Sequence, residues 1–450
     1  MPRLRLWIGL LLLGGLGILV WSSSPSPDPK SPAPTGVSWS DPVEVTTGEA
    51  YRGPWRMNES DWRFVDDPTV ALGRESTAGV AWTDHLAQDL FFQAYGPDGA
   101  PRHSSPVNVS RNPETFSWLP RVAFPTDSPD TVYVLWQEII FSGGTHGGEA
   151  MFARSLDGGR SFGEPINLSQ SEAGDGKGRL TKEIWHNGSL DLAVGPEGTV
   201  YAAWTEYEGR LLLCRSPDTG AHFSAPLHVA GSTARPARGP SLDVDSTGTL
   251  HLAWAVGEDP AADVQYTHST DGWNAFTSPQ TVAESEGHSD APSLAVASSG
   301  TVHLAYGESP TGPFRQYHVR HTRSPAGVDS FRPSTAVSDR SDADLESHFP
   351  TLRAPVRDTL HVLWERYPNR SERPRGLAYT TSSDGGDTFD APSVVPGSAD
   401  PTHGFNGSQQ GLLMEKLATN ATGGLAVVNS TFDRGNESHV WLYRGQTSDR

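Results

Sequence analysis

Ser155-Leu-Asp157-Gly-Gly159-Arg-Ser-Phe162 and Ser382-Ser-Asp384-Gly-Gly386-Asp-Thr-Phe389 share one spacing, S-x-D-x-G-x-x-F, and each runs on through two residues to a proline, Pro165 or Pro392. Ser216-Pro-Asp218-Thr-Gly220-Ala-His-Phe223 keeps the pattern, while Ser269-Thr-Asp271-Gly-Trp273-Asn-Ala-Phe276 carries Trp at the second Gly. Ser324-Pro-Ala326-Gly-Val-Asp-Ser-Phe331 lacks the Asp, and near Tyr95-Gly-Pro-Asp98-Gly99 only the turn remains. The prolines Pro42, Pro106, Pro165, Pro226, Pro279, Pro333 and Pro392 extend the series to seven. A self-similar period of roughly 50–60 residues, each unit holding several short strands, predicts a radial array.

A second landmark precedes each box. Gly79-Val-Ala-Trp82, Val134-Leu-Trp136, Tyr201-Ala-Ala-Trp204, His251-Leu-Ala-Trp254, His303-Leu-Ala-Tyr306 and His361-Val-Leu-Trp364 are short apolar strands ending in an aromatic, and Gly424 to Asn429 is a degenerate seventh. Pairing the landmarks leaves Pro42 without a strand before it and Asn429 without a box after it, so the two ends complete one blade. Trp39 to Val45 supplies its outer strand and about 411–446 the inner ones, a closure that removes open sheet edges. The expectation is an all-β protein: a β-propeller of seven blades, each of four antiparallel strands, with six blades as the fallback, in one domain over 37–450.

The boxes resemble the Asp-box, or bacterial neuraminidase repeat, of sialidases and their relatives, over about 40–446. The resemblance implies structural roles for Asp157, Asp218, Asp271 and Asp384, whose carboxylates accept backbone N–H groups in a tight turn. In sialidases of this family an arginine triad binds the substrate carboxylate, a Tyr assisted by a Glu is the nucleophile, and an Asp is the acid/base. This sequence matches that set poorly. Trp118-Leu-Pro-Arg121 only loosely follows the family's Phe/Tyr-Arg-Ile-Pro strand, Arg238 and Arg353 are the other triad candidates, and Tyr207 or Tyr367 the nucleophile candidates. Seven blades rather than the six usual in catalytic members also shift any triad out of register.

Arg3 and Arg5 precede an apolar run from Leu6 to Trp21, so 1–21 reads as a signal peptide or N-terminal membrane anchor, and 22–36, rich in Ser and Pro, as an extended linker. The propeller is then extracellular or at the cell surface, secreted or anchored, with membrane contact only through that segment. Cys214 is the single cysteine, so stability comes from the ring rather than an internal disulfide. Nine of the eleven asparagines head an N-x-S/T sequon: Asn58, Asn108, Asn167, Asn187, Asn369, Asn406, Asn420, Asn429 and Asn436. Asn429 falls inside the closing blade; the other eight are glycosylation candidates. A formal charge of −19 argues against nucleic acid or an anionic bilayer as partner and leaves a carbohydrate or cell-surface polymer, bound by a monomer.

Innermost strands of a propeller start at one face, so the residues just before them crowd the channel mouth. Asp66, Trp118, His186, Arg238, Asp290 and His348 stand in register two residues before Pro68, Pro120, Gly188, Pro240, Pro292 and Pro350. Loops feeding the mouth add Glu183, Trp185, Arg235, His288, Glu346 and His403. A second acidic series, Asp84, Glu138, Glu206, Glu308 and Glu365, follows the inner aromatics; on the same face it forms a carboxylate wall able to orient sugar hydroxyls or hold calcium, although no cofactor is required. Two functions fit. One is a glycoside hydrolase or polysaccharide lyase with Asp66, Asp290 or a carboxylate following an inner tryptophan as acid/base, assisted by His186 or His348, and with Trp118, Trp185, Arg235, Arg238, His288 and Glu206 binding the glycan. The other is a binding propeller without chemistry, in which Trp118 and Trp185 are aromatic shelves.

Overall fold

The computed structural model describes residues 36–53, 61–112, 115–142, 145–170, 189–206, 209–256, 263–282, 287–310, 312, 316–328, 330–338, 345–356, 359–368, 373–399, 403–406, 415–433 and 437–448. The expected signal segment, nearly all of the linker, and Asn58, Trp185, His186, Asn187, Asn369 and Asn436 lie outside these residues, as does the side chain of Asn406.

Seven antiparallel sheets form the ring, six of them four-stranded and consecutive in sequence. Their innermost strands are Val65–Leu72 (blade 1), Phe116–Ala123 (blade 2), Leu190–Val194 (blade 3), Ala237–Val244 (blade 4), His288–Val296 (blade 5) and Leu345–Val356 (blade 6). Blade 7 is built from both ends of the chain. Leu417–Thr419, Gly424–Asp433 and Glu437–Thr447 are joined by Val37–Trp39 and Val43–Glu49, with Val37 opposite Thr447 and Val43 opposite Leu442. The closure and the blade number follow the expectation, and the six-bladed alternative is discarded.

Among the described residues the apolar core is divided into separate clusters. Each apolar cluster spans a pair of adjacent blades: Trp204, Leu212 and Cys214 of blade 3 pack on Tyr133 and Phe152 of blade 2, and Val428, Val440 and Leu442 of blade 7 pack on Val70 and Trp82 of blade 1. The aromatics that end the second strands are buried at these interfaces in blades 1 to 6. Large side chains are needed there because twisted sheets packed face to face around a ring diverge outward and leave wedges of space to fill.

The S-x-D-x-G turns latch each blade to the one before it. Ser155 Oγ donates to Asp157 Oδ1 at 2.7 Å and accepts the Gly159 N–H at 2.8 Å, while Asp157 also accepts the Ser161 N–H at 2.9 Å. Gly159 has φ +84, and a Cβ there would overlap the ring of Phe92 in blade 1. Only glycine satisfies both demands. The closing aromatic then packs edge-on against the third strand of the preceding blade: Phe162 on Phe92, Phe223 on Phe152, Phe331 on Tyr266, Phe389 on His321, and Trp39 on Tyr379 at the closure. The same hydrogen bonding recurs at Asp218 and Asp384, and Asp271 accepts the N–H groups of Asn274 and Ala275. Burial opposes ionisation of Asp157 and Asp384, yet the donors around each win and hold its carboxyl down at about 2.

Four sequons are parts of the blades. Asn108 Nδ2 donates to Asp89 Oδ2 at 2.7 Å, its Oδ1 accepts the Arg111 N–H, and Ser110 Oγ accepts the Leu90 N–H. Asn167 and Ser169 occupy the equivalent place in blade 2. Asn420 caps a turn with its Oδ1 and donates to Ser76, and Asn429 is fully buried. Asn108 Nδ2, the atom a glycan would take, is already engaged with Asp89, so part of the sequon excess reflects blade architecture.

Candidate functional site

One backbone device recurs at the channel mouth. The residue before the proline that opens each aligned strand has positive φ: Asp67 (52), Leu119 (55), Gly239 (53), Ala291 (51) and Phe349 (53). Ladder pairing shifts register at each of these places, from Asp66 to Thr69, opposite Trp118 to Arg121, and from Arg238 to Ser241, Asp290 to Ser293 and His348 to Thr351. A bulge re-aims the side chain beside it, and left-handed Leu, Ala and Phe are costly conformations that the surrounding sheet must hold in place. The acidic series sits at the same end, since Asp84 is opposite Val65, Glu138 opposite Ser117, Glu308 opposite Ser289 and Glu365 opposite His348.

Blades 5 and 6 bring four polar groups together. His348 Nε2 lies 2.7 Å from Asp290 Oδ1, His288 Nε2 lies 3.3 Å from Asp290 Oδ2, and the Tyr317 hydroxyl donates to Asp290 Oδ2 at 2.9 Å. The Tyr317 and His348 rings stack at 3.7 Å with 7° between planes, and Phe349 stacks on His348 at 3.9 Å. Gly307 lets the imidazole in, because a Cβ there would come within 2.7 Å of His348 Cδ2. Burial pushes the Asp290 carboxyl up, but the charge of His348 and the hydrogen bonds from both histidines outweigh it and hold the group well below the usual carboxylate range. An ionised Asp290 accepts hydrogen from His348 Nε2; in the neutral imidazole that bond leaves the lone pair on Nδ1. The side chains of Asp290 and His348 are 24% and 12% exposed, so the cluster borders solvent.

The other described aligned residues, Asp66, Trp118 and Arg238, are engaged elsewhere. Asp66 is buried and accepts from Ser430 of blade 7, while Arg238 bonds the Ala237 carbonyl at 2.9 Å. Trp118 is 2% exposed, with its indole N–H on Gln137 Oε1 and Phe116 against its ring. Its indole is therefore a packing element rather than an open shelf, because the bulge turns it into the blade. Arg235 lies in an exposed turn with its N–H on Ser232, and Glu206 closes a hairpin against Arg210 at 3.6 Å. The expected carboxylate wall is spent locally as well. Asp84 caps the N–H groups of Leu86 and Ala87, Glu308 pairs with Arg320 at 3.7 Å, and Lys416 and Tyr367 both bond Glu365. Glu138 accepts Ser117 Oγ at 2.8 Å and the Trp136 indole at 2.7 Å; burial still pushes it up to about 7.

Below the mouth the channel is lined by ion-paired side chains and hydroxyls. Arg121 pairs with Asp191 at 3.6 Å and Arg353 with Glu415 at 2.5 Å, and Ser241, Ser293 and Thr351 line the same space. Ser241 and Ser293 accept the N–H groups of Leu294 and Leu352 from the following blades. Burial and the neighbouring Glu415 push the Asp191 carboxyl up against the pull of Arg121. Sequence reading missed Tyr317, which lies just before the third strand of blade 5, outside either repeated landmark. It also missed the consequence of Gly307, whose importance is visible only beside His348.

No protein-family model matches the chain, and no curated protein matches it. Among solved structures, the polysaccharide lyase Uly1 superposes with a TM-score of 0.56 at 11% identity, covering 91% of this chain and 100% of its own. A polysaccharide lyase PL25 ulvan lyase bound to -[GlcA(1-4)Rha3S]- superposes with a TM-score of 0.55 at 11% identity, covering 88% and 95%. A protein of unknown function from Dyadobacter fermentans superposes with a TM-score of 0.49 at 14% identity, covering 92% and 100%. The two lyase likenesses establish the fold that this chain shares with them.

Proposed function

We propose that this protein is an extracellular polysaccharide-cleaving propeller that works by β-elimination beside a uronic acid carboxylate, at the blade 5 and blade 6 edge of the mouth. The carrying observation is the Asp290, His288, His348 and Tyr317 cluster. Elimination needs a base for the proton next to the carboxylate and an acid for the departing glycosidic oxygen. His348 Nδ1 takes that proton, its electrons form the new carbon–carbon double bond, the carbon–oxygen bond breaks, and the Tyr317 hydroxyl protonates the leaving oxygen. Asp290 orients His348, as the acid of a triad orients its histidine. Two-carboxylate hydrolysis has less support, because Asp290 is held ionised and does not serve as a general acid. The Asp-box reading rests on the S-x-D-x-G turns; sialidase chemistry has weaker support, since Arg121 and Arg353 are paired with Asp191 and Glu415. Burial and Glu365 also push the Tyr367 phenol far up, away from a nucleophile.

The net charge of −19 repels a dense polyanion, so the preferred substrate is a polymer whose uronic acids are diluted by neutral sugars. The secreted or anchored location rests on the N-terminal apolar run and the sequons. The test is incubation with a panel of uronic acid polysaccharides, read by the ultraviolet absorbance of the unsaturated product, with His348→Ala and Asp290→Asn as controls. Reducing ends without that absorbance would point to hydrolysis. Glycan-array binding with no product would leave a binding propeller.

A further inference from the structure

We infer that the mouth end of blade 7 holds a zinc-class divalent cation between Asp433, Glu437 and His439. One ligand atom from each lies within 4.8 Å of the others. Asp433 ends one strand and Glu437 begins the next, and Asp433 Oδ1 accepts the Glu437 N–H at 3.0 Å, so the hairpin fixes both acids on one side. His439 stands two residues further along the same strand as Glu437, where the period-two pleat returns its side chain to the same face.

An independent feature outside the three ligands sets the histidine for metal. His439 Nδ1 lies 3.1 Å from Glu44 Oε2 and 3.2 Å from Thr47 Oγ1, both on the N-terminal strand, while Nε2 is 4.0 Å from Glu437 Oε2. A carboxylate on one ring nitrogen fixes the tautomer and raises the basicity of the other, which is how protein zinc ligands are commonly supported. The ring is 8% exposed and tilts against Trp441 at 5.5 Å, so its plane is set by packing before any ion arrives. One imidazole nitrogen with two carboxylates suits zinc or a similar transition ion; calcium would ask for an all-oxygen shell. Three protein ligands at a half-exposed hairpin leave a coordination position for water. Because Glu44 comes from the N-terminal strand, the cation would also tie the two ends of the chain together at the closure of the ring.

Titration of the full-length, untagged protein with Zn2+, followed calorimetrically and repeated with Co2+ for its visible spectrum, tests this. One equivalent is expected to bind with a tetrahedral or five-coordinate cobalt spectrum. The exposed Glu437→Gln change and the supporting Glu44→Gln change should each weaken binding about 10–100-fold. Both variants should keep the wild-type circular dichroism spectrum without metal, which separates lost ligation from lost fold. Absence of one-equivalent binding, or binding unaltered in Glu437→Gln and Asp433→Asn, would overturn the inference. Neither result bears on the Asp290 cluster, which is built from residues of blades 5 and 6.

Discussion

His361 offers a direct measurement of how burial inside a blade couples to pH. It sits in the second strand of blade 6, 3% exposed, with Nδ1 2.7 Å from the Tyr379 hydroxyl. Burial pushes the imidazole down to about 4, against about 6.5 in an unfolded chain. Between those values the unfolded chain binds the extra proton, so stability rises with pH across the window. The contribution is complete above about 6.5 and is lost as pH falls toward 4. The whole window corresponds to ~3.4 kcal/mol, of which ~1.8 kcal/mol falls between pH 7 and pH 5. Replacing His361 by Gln keeps a partner for Tyr379 and removes the titration. Urea unfolding of both proteins at pH 7, 6 and 5 should show the wild type losing ~1.8 kcal/mol more than the variant over that interval. His251 and His303, also held near 4 by burial, titrate in both proteins and cancel in the difference. Parallel pH profiles would refute the claim that this imidazole is neutral because it is buried.

Asp290→Asn replaces a charge-assisted acceptor of two imidazoles and a phenol, so a loss of about 1.5–3 kcal/mol in urea unfolding and near-complete loss of unsaturated product are expected together. Phe389→Ala removes the half-buried ring that latches blade 6 onto His321 and should lower stability by about 2–3 kcal/mol in the same assay. A chain beginning after Glu49 loses the strands paired with Glu437–Thr447; light scattering should show it aggregating through the exposed edge. Peptide mass spectrometry of protein from a glycosylating host should find Asn429 unmodified, because the closing blade buries it completely.

The S-x-D-x-G turns, the strand-ending aromatics and the unmatched Pro42 and Asn429 made the ring, its seven blades and its closure legible, because each is a local pattern repeated at a fixed interval. Register alone also picked out Asp290, His348 and, from its loop, His288. What register could not reveal is that the five described aligned positions have different fates. The same bulge buries Trp118 against Gln137 and sends Asp66 to Ser430, yet sets His348 between Tyr317 and Asp290. Which neighbour each one meets depends on the adjacent blade: whether it presents a Gly307 that leaves room, a Tyr317 that stacks, or an arginine that takes up a carboxylate. Repetition writes the strands and turns into the sequence, one blade at a time. The candidate site arises where two non-identical blades face each other, and that pairing exists only in the tertiary structure.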